Sequence, residues 1–343
     1  MLITDFDYDL PEELIAQTPL ERREGSRMLV VDRAAGKWSD DSFVNFPEYI
    51  VPGDVLVLNN TKVFPARLFG EKETGARIEL FLVREIEESV WEVLSRPARR
   101  LKPGTRIFFG ERLEAEVLEK KADGHCLVKF TADGDFNEVL EEIGQTPLPP
   151  YIKREDGDFN RDRERYQTVY ARERGAIAAP TAGLHFTPEI LERVRRAGAE
   201  LVEITLHVGY GTFEPVRVSD LSEHRVLPEQ AEIGVEAAEI LNRAKADKKR
   251  IIAVGTTTTR ALEFFSTADG KVESGRREAN LTITPGYKFK FVDALLTNFH
   301  LPQSSLLVLV STFAGHKLIM NAYAHAVAAR YRFYSYGDCM LIV

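Results

Sequence analysis

The stretch from residue 68 to residue 150 constrains the fold most, because its texture differs from that of both flanks. Arg77 to Val83, Val90 to Ser95, Thr105 to Phe109, Leu113 to Glu119 and Leu127 to Phe130 read as short alternating strands. Turn signals separate them at Lys102-Pro103-Gly104, Phe109-Gly110-Glu111 and Ala122-Asp123-Gly124. Strands at this spacing with such turns predict a small antiparallel barrel. Before and after it the pattern is that of an α/β protein. Met28 to Asp32 and Asp54 to Asn59 are apolar strands, and beyond Tyr166 strands alternate with amphipathic helices. The prediction is therefore a layered α/β domain formed by both chain ends, residues 1–67 and 151–343. A small antiparallel β-barrel domain, residues 68–150, is inserted into it.

The 343 residues suffice for two such units. The amino terminus, MLITDFDYDL, lacks a basic segment followed by an apolar run, and the longest apolar run is too short to span a bilayer. Cys126 and Cys339 lie far apart, with no Cys-x-x-Cys. A reducing, cytoplasmic setting with no disulfide framework and no metal is expected. A formal net charge of −8 argues against general attraction to nucleic acid. It leaves room for a local basic patch. The densest basic segment holds Arg99, Arg100 and Lys102 together with Arg96, Arg106 and Arg112.

Within the α/β part, Gly175 to Pro215 is the most suggestive stretch. A loop of small residues runs to Thr187-Pro188-Glu189, a helix start with a capping hydroxyl and proline at the first helical position. Gly198 closes that helix, Leu201 to Leu206 is a strand, and a second glycine-rich loop follows. His185 enters this unit and His207 leaves it. If both loops face one pocket, the two histidines come near each other. Read alone, the stretch is equally well explained as tight turns with structural histidines.

Four strand ends, at Asn59, His207, Gly255 and Asn298, run into loops rich in Gly, Thr, Asn or His. Carboxyl ends of strands are where open α/β sheets place ligands. Asn60 and Lys62 follow the first of these ends, and Thr256, Thr257 and Arg260 open a helix after the third. His185, His207 and His300 all sit in such loops, where an imidazole can act as acid or base near neutral pH. Tyr334 and Tyr336 beside Asp338 suit a cation, through ring faces and a carboxylate. No G-x-S-x-G, H-E-x-x-H, G-x-G-x-x-G or P-loop occurs, so these residues alone name no reaction.

In order, the chain carries NNTKVFPAR, PLPPYI, RYQTVYA, GAIAAPTAGLHFT, HVGYGTFEPV, VGTTTTRALE, LLTNFHLPQSSLLVLVSTFAG and YRFYSYGDCMLI. With these runs it resembles the S-adenosylmethionine:tRNA ribosyltransferase-isomerase family of queuosine biosynthesis. The resemblance extends from about residue 59 to the last residue. It implies transfer of the ribosyl part of S-adenosylmethionine to the aminomethyl group of preQ1, a 7-deazaguanine at the tRNA wobble position. Rearrangement gives epoxyqueuosine, with adenine and methionine released. The cofactor is consumed as a substrate, no metal is expected, and the implied partner is tRNA carrying preQ1, bound by a monomer away from any membrane.

That chemistry needs a base for the carbon beside the sulfonium, an acid for the departing adenine, and a carboxylate or aromatic face for the cation. His185, His207 and His300 are the candidate acid and base in no assigned order, with Asp338, Tyr334 and Tyr336 for the cation. Thr256, Thr257 and Asn298 are candidates for ribose or adenine edges, and Asn60 for a further substrate contact. Lys62, Arg67 and Arg260 suit tRNA phosphate or the methionine carboxylate, and Arg99, Arg100 and Lys102 suit tRNA. Val226-Leu227 stand where the family usually has Met-His after Glu223-His224, which leaves His224 outside the candidate set. Two other classes compete: an α/β enzyme acting on a free nucleoside or nucleotide, and an RNA-binding module with vestigial loops.

Overall fold

The computed structural model describes residues 1–97, 101–154, 160–213 and 215–343. Its frame is a nine-stranded mixed sheet. At the centre lie four parallel strands in the order Glu200–Leu206, Val55–Asn59, Ile251–Val254 and Ala294–Asn298. Val55–Asn59, Ile251–Val254 and Ala294–Asn298 are buried at every position, as strands covered on both faces must be. Cys339–Ile342 pairs antiparallel with Ala294–Asn298, which brings the carboxyl-terminal loop to the same sheet edge as the parallel strands' carboxyl ends.

Two apolar layers hold this sheet. One face packs Val55, Val57 and Leu295 against Leu241, Ala261, Leu262 and Leu307 of three helices. The other packs Leu56, Leu58 and Leu296 against Ile190, Leu191 and Val194 of the helix Pro188–Arg196, with Phe43 and Phe46. That helix begins as its sequence predicts: the Thr187 hydroxyl accepts from the Ile190 amide at 3.2 Å, and Pro188 needs no partner at the first position.

The barrel is closed, with six antiparallel strands in the order Cys126–Ala132, Val90–Arg96, Arg77–Glu87, Arg67–Lys72, Arg106–Phe109 and Leu113–Lys120. Alternate residues, among them Ile78, Leu80, Leu82, Val93, Ala115 and Val117, fill its interior. Closure needs Gly70, where a Cβ would lie 2.6 Å from the Phe108 carbonyl oxygen. Both cysteines are free and buried. Among the described residues no single helix is long and apolar enough to cross a membrane.

Six strands escape the sequence pattern: Arg67–Lys72 of the barrel, the paired Thr61–Val63 and Glu173–Ala176, and three at the edges of the large sheet. Lys37–Ser42 extends one sheet edge, while Glu229–Ile233 and Gly275–Ala279 extend the other. Lys37–Ser42 and Gly275–Ala279 are mostly exposed and charged, so their apolar alternation is weak. Glu229–Ile233 alternates cleanly, but a carboxylate stands at its first inward position.

Candidate functional site

A cavity of about 420 Å³ opens at the carboxyl ends of the parallel strands. That volume falls within the usual range for small-molecule sites. Its wall takes Ala178–Ala182 from the small-residue loop, Gly211 and Thr212 from the second glycine loop, and Gly255, Thr256 and Thr257 after Ile251–Val254. Thr297–Leu306 follows Ala294–Asn298, and Tyr334 and Ser335 come from the final loop.

Two helix amino ends meet there. Thr256–Phe265 starts at Gly255, and Ser305–Ala314 starts at Ser304, whose hydroxyl accepts from the Leu307 amide at 3.2 Å. Both present unpaired amides and the positive dipole end to the cavity. Arg260 adds a full charge one turn into the first helix. Its guanidinium lies 2.8 Å from the Glu229 carboxylate, and both side chains are nearly buried. Glu229 also accepts from the Gly209 amide at 2.8 Å and the Thr212 hydroxyl at 3.1 Å, so it ties Arg260 to the second glycine loop. The Arg260 Nε has no partner among the described residues.

Tyr151, Tyr166, Phe299 and Tyr334 give the cavity an aromatic wall. Tyr151 and Tyr334 meet edge to face with ring centres 3.9 Å apart. Tyr334 sits at φ 73, a left-handed conformation costly for a bulky residue, and such strain concentrates at ligand sites.

His300 lines the cavity, and its backbone is fixed on both sides. The Tyr8 hydroxyl donates to its carbonyl at 2.5 Å, and its amide donates to the Tyr323 hydroxyl at 3.0 Å. The ring Nε2 lies 2.9 Å from the Thr297 hydroxyl. Burial pushes the imidazole down to about 3, so it is neutral at pH 7 and keeps one ring nitrogen unprotonated. Asn298 beside it donates to the Tyr334 carbonyl at 3.1 Å, while its Oδ1 is buried without a partner among the described residues. That oxygen is an unpaired acceptor on a residue of the cavity wall.

Of the candidates, the cavity thus brings together Thr256, Thr257, Arg260, Asn298, His300 and Tyr334. His185 lies behind this group. Its Nδ1 is 2.8 Å from the Ser26 hydroxyl and its Nε2 is 3.2 Å from the Asn298 amide nitrogen. Because that nitrogen also faces two carbonyls, it must donate, so Nε2 accepts and Nδ1 carries the proton. Burial, then the charges of Arg332 and Arg23, push His185 down to about 3. His207 packs on Gly175, where a Cβ would lie 2.7 Å from the ring, and its Nδ1 is 2.8 Å from the Thr61 hydroxyl. The two histidines therefore share neither a partner nor the cavity. The expected convergence of both loops holds, but the expected meeting of their histidines does not.

Asp338 is buried and accepts from the Arg27 and Arg332 amides at 2.9 and 2.8 Å, so it fastens the final loop instead of facing a ligand. The Tyr336 hydroxyl donates to Asp162 at 2.6 Å, away from the cavity. Asn60 bonds Glu203 and Thr205, and Arg67 pairs with Glu79 at 2.6 Å on the barrel. Lys62 and Lys102 are exposed. Arg99 and Arg100 lie outside the described residues. Arg106 and Arg112 of the same basic segment pair with Glu114 and Glu142.

Glu229, Tyr151 and His224 are not among the sequence candidates. His224 is one step from the cavity, its Nε2 2.7 Å from the hydroxyl of the lining Ser305. Glu229 opens an edge strand and Tyr151 ends a proline-rich linker, so only an inward carboxylate in an alternating run could flag the former. Among the described residues no group of three or more His, Cys, Asp or Glu is placed to hold a metal.

The two deeply buried histidines set an acid limit on stability. In the unfolded chain they titrate near 6.5, and in the fold near 3. The unfolded state therefore binds protons that the fold refuses, so stability present above about pH 6.5 is lost on acidification. Urea unfolding at pH 7 and pH 5 is expected to differ by about 2 kcal/mol for each histidine. Equal stabilities would contradict two buried, neutral imidazoles.

Comparison with known proteins gives a consistent picture. The profile of a family described as queuosine biosynthesis protein matches residues 3–342. Proteins named S-adenosylmethionine:tRNA ribosyltransferase-isomerase from Syntrophotalea carbinolica and Carboxydothermus hydrogenoformans are each 51% identical over 345 residues, covering all of both chains. The crystal structure of S-adenosylmethionine tRNA ribosyltransferase from Thermotoga maritima is 37% identical, with a TM-score of 0.56, over 99% of this chain and 100% of that one.

Proposed function

The chain belongs to the queuosine biosynthesis protein family, and from that premise we propose that it transfers and isomerises the ribosyl moiety of S-adenosylmethionine onto preQ1 in tRNA. The product is epoxyqueuosine-tRNA, with adenine and methionine released, and the enzyme works as a monomer in the cytoplasm. One observation carries this reading. Every one of the stretches PLPPYI, RYQTVYA, GAIAAPTAGLHFT, HVGYGTFEPV, VGTTTTRALE, LLTNFHLPQSSLLVLVSTFAG and YRFYSYGDCMLI contributes residues to one cavity wall. Runs scattered over the chain meet where a ligand of this size would sit.

In this reading Arg260 and the two helix amino ends hold the methionine carboxylate, because all three favour an anion. Tyr334, Tyr151 and Phe299 face the sulfonium and the adenine ring. Asn298 Oδ1 and the hydroxyls of Thr256 and Thr257 take ribose or adenine edges. Neutral His300 removes the proton from the carbon beside the sulfonium, whose positive charge acidifies it. His185 orients Asn298 from behind. His207, through Thr61, and Asp338, through two amides, hold loops in place. The acceptor base lies in an anticodon loop and enters the cavity splayed out of its stack.

Incubation with S-adenosylmethionine and preQ1-containing tRNA, followed by mass spectrometry, tests the reading. Free adenine and a mass gain on the tRNA are expected. Turnover that needs no RNA would favour an enzyme of free nucleosides instead. On the barrel, charge reversal of Arg99, Arg100 and Lys102 together is expected to weaken tRNA binding and flatten its salt dependence without unfolding the protein. Unchanged binding at every salt concentration would remove the barrel segment from the docking face.

A further inference from the structure

Beside the cavity, across Ser335, lies a small cleft lined by Arg22, Arg23, Arg165, His185 and Tyr336. Its cations are held in an unusual way. The Arg23 guanidinium donates to the carbonyls of Glu164 at 3.0 Å, Leu184 at 3.3 Å and Arg165 at 3.4 Å. Arg165 donates to the carbonyls of Glu21 and Leu20 at 2.8 and 2.7 Å, and its Nε is buried without a partner among the described residues. Arg332, close behind, donates to the Thr18 carbonyl and leaves its Nη1 buried and likewise unpaired. Among the described residues none of these three has a carboxylate in ion-pair contact.

Carbonyl oxygens fix where a guanidinium points, but they do not cancel its charge. Of the nearby acids, Glu24 pairs with Arg22 at the rim at 2.6 Å and reaches Arg165 only through its field, and Asp162 pairs with Arg154 at 2.6 Å. The Glu164 side chain is exposed and acts on Arg23 only through its field. The crowding shows in the neighbours. Burial and then the charge of Arg165 push the Arg23 guanidinium down, and after burial the charges of Arg332 and Arg23 push His185 down. On a chain of net charge −8 this is a concentration of positive charge beside the cavity, in which Arg22 is held by Glu24 while Arg23 and Arg165 have no carboxylate in ion-pair contact among the described residues.

We propose that Arg22, Arg23 and Arg165 form a docking site for the RNA phosphodiester backbone flanking the base that enters the cavity. The planar guanidinium forks suit phosphate oxygens. The cleft's volume, about 20 Å³, holds no more than a water, so the phosphate sits on the rim and is carried by a strand outside. Ser335 belongs to both walls, so a nucleotide with its base in the cavity has its backbone beside the arginines. This rests on the RNA reading above and names where that RNA is gripped.

The test is binding of preQ1-containing tRNA to the full chain across a range of salt concentrations, with S-adenosylmethionine binding measured by calorimetry on the same samples. Arg23→Gln with Arg165→Gln is expected to weaken tRNA binding about tenfold or more. The slope of log affinity against log salt is expected to fall by about 0.7–0.9 for each phosphate that is no longer neutralised. Arg22→Glu, at a side chain 76% exposed, is expected to act in the same direction and cannot unfold the core. S-adenosylmethionine binding is expected to stay within about twofold in both. A merely structural role would lower stability and leave the salt slope of the folded fraction unchanged, and that result overturns the proposal. If the double variant fails to fold, Arg22→Glu decides alone: wild-type affinity and slope there overturn it. Loss of S-adenosylmethionine binding in parallel with tRNA binding also overturns it, since the damage would lie in the cavity. A wild-type chain that binds no tRNA would instead sink the RNA reading itself.

Discussion

His300→Gln is expected to slow single-turnover release of adenine by about two to four orders of magnitude, the usual worth of a positioned acid or base. S-adenosylmethionine affinity should change little, because the anion-binding floor and the aromatic wall do not include this ring. The reasoning is local. Tyr8 and Tyr323 hold the backbone of His300 by two hydrogen bonds, so the substitution swaps a side chain without moving the loop. Glutamine keeps a polar contact toward Thr297 but cannot accept the proton. His185→Ala should behave in the opposite sense. Its ring is buried, 5.3 Å from that of Phe43 and bonded to Ser26, so its removal is expected to cost about 2–4 kcal/mol of stability. What remains folded should turn over within about tenfold of normal, the reduction coming from a loosened Asn298. A normal single-turnover rate in His300→Gln would take this residue out of the reaction.

The contrast between those histidines shows what the sequence could and could not carry. His185, His207 and His300 occupy equivalent places in the chain, each in a loop at a strand's carboxyl end or beside a helix start. Nothing in local pattern separates them. The separation is tertiary: His300 faces the cavity, His185 is sealed by Ser26 and Asn298, and His207 is pressed on Gly175. The central strands Val55–Asn59, Ile251–Val254 and Ala294–Asn298 were legible because they are buried at every position, and five of the six barrel strands because they alternate with a period of two between turn signals. Glu229–Ile233 was not, because it lies near a sheet edge and begins with a carboxylate. That same carboxylate is what the cavity floor depends on. Asp338 was read as a cation contact for a related reason. A lone acid after Tyr-Gly reads as a free charge, yet two backbone amides claim both its oxygens.

Arg260→Met is expected to be the most damaging single change in the cavity, on two separable counts. First, it strands Glu229 as a buried carboxylate, still bonded to Gly209 and Thr212 but without its counter-charge. Losing one partner of a buried pair costs about 3–5 kcal/mol, far more than the pair itself contributes. Second, it removes the full cation that, with two helix amino ends, is proposed to hold the substrate carboxylate. A charge-assisted contact in a water-excluded site is worth about 2–5 kcal/mol, so S-adenosylmethionine affinity should fall by about 30-fold or more. Adding Glu229→Gln separates these effects. With both charges gone no stranded carboxylate remains, and the amide oxygen can still accept from Gly209 and Thr212. Stability should therefore return most of the way in urea unfolding, while the affinity measured by calorimetry stays low. If the double variant recovers affinity along with stability, Arg260 serves only as the counter-ion of Glu229, and the methionine carboxylate must be held by the helix ends alone.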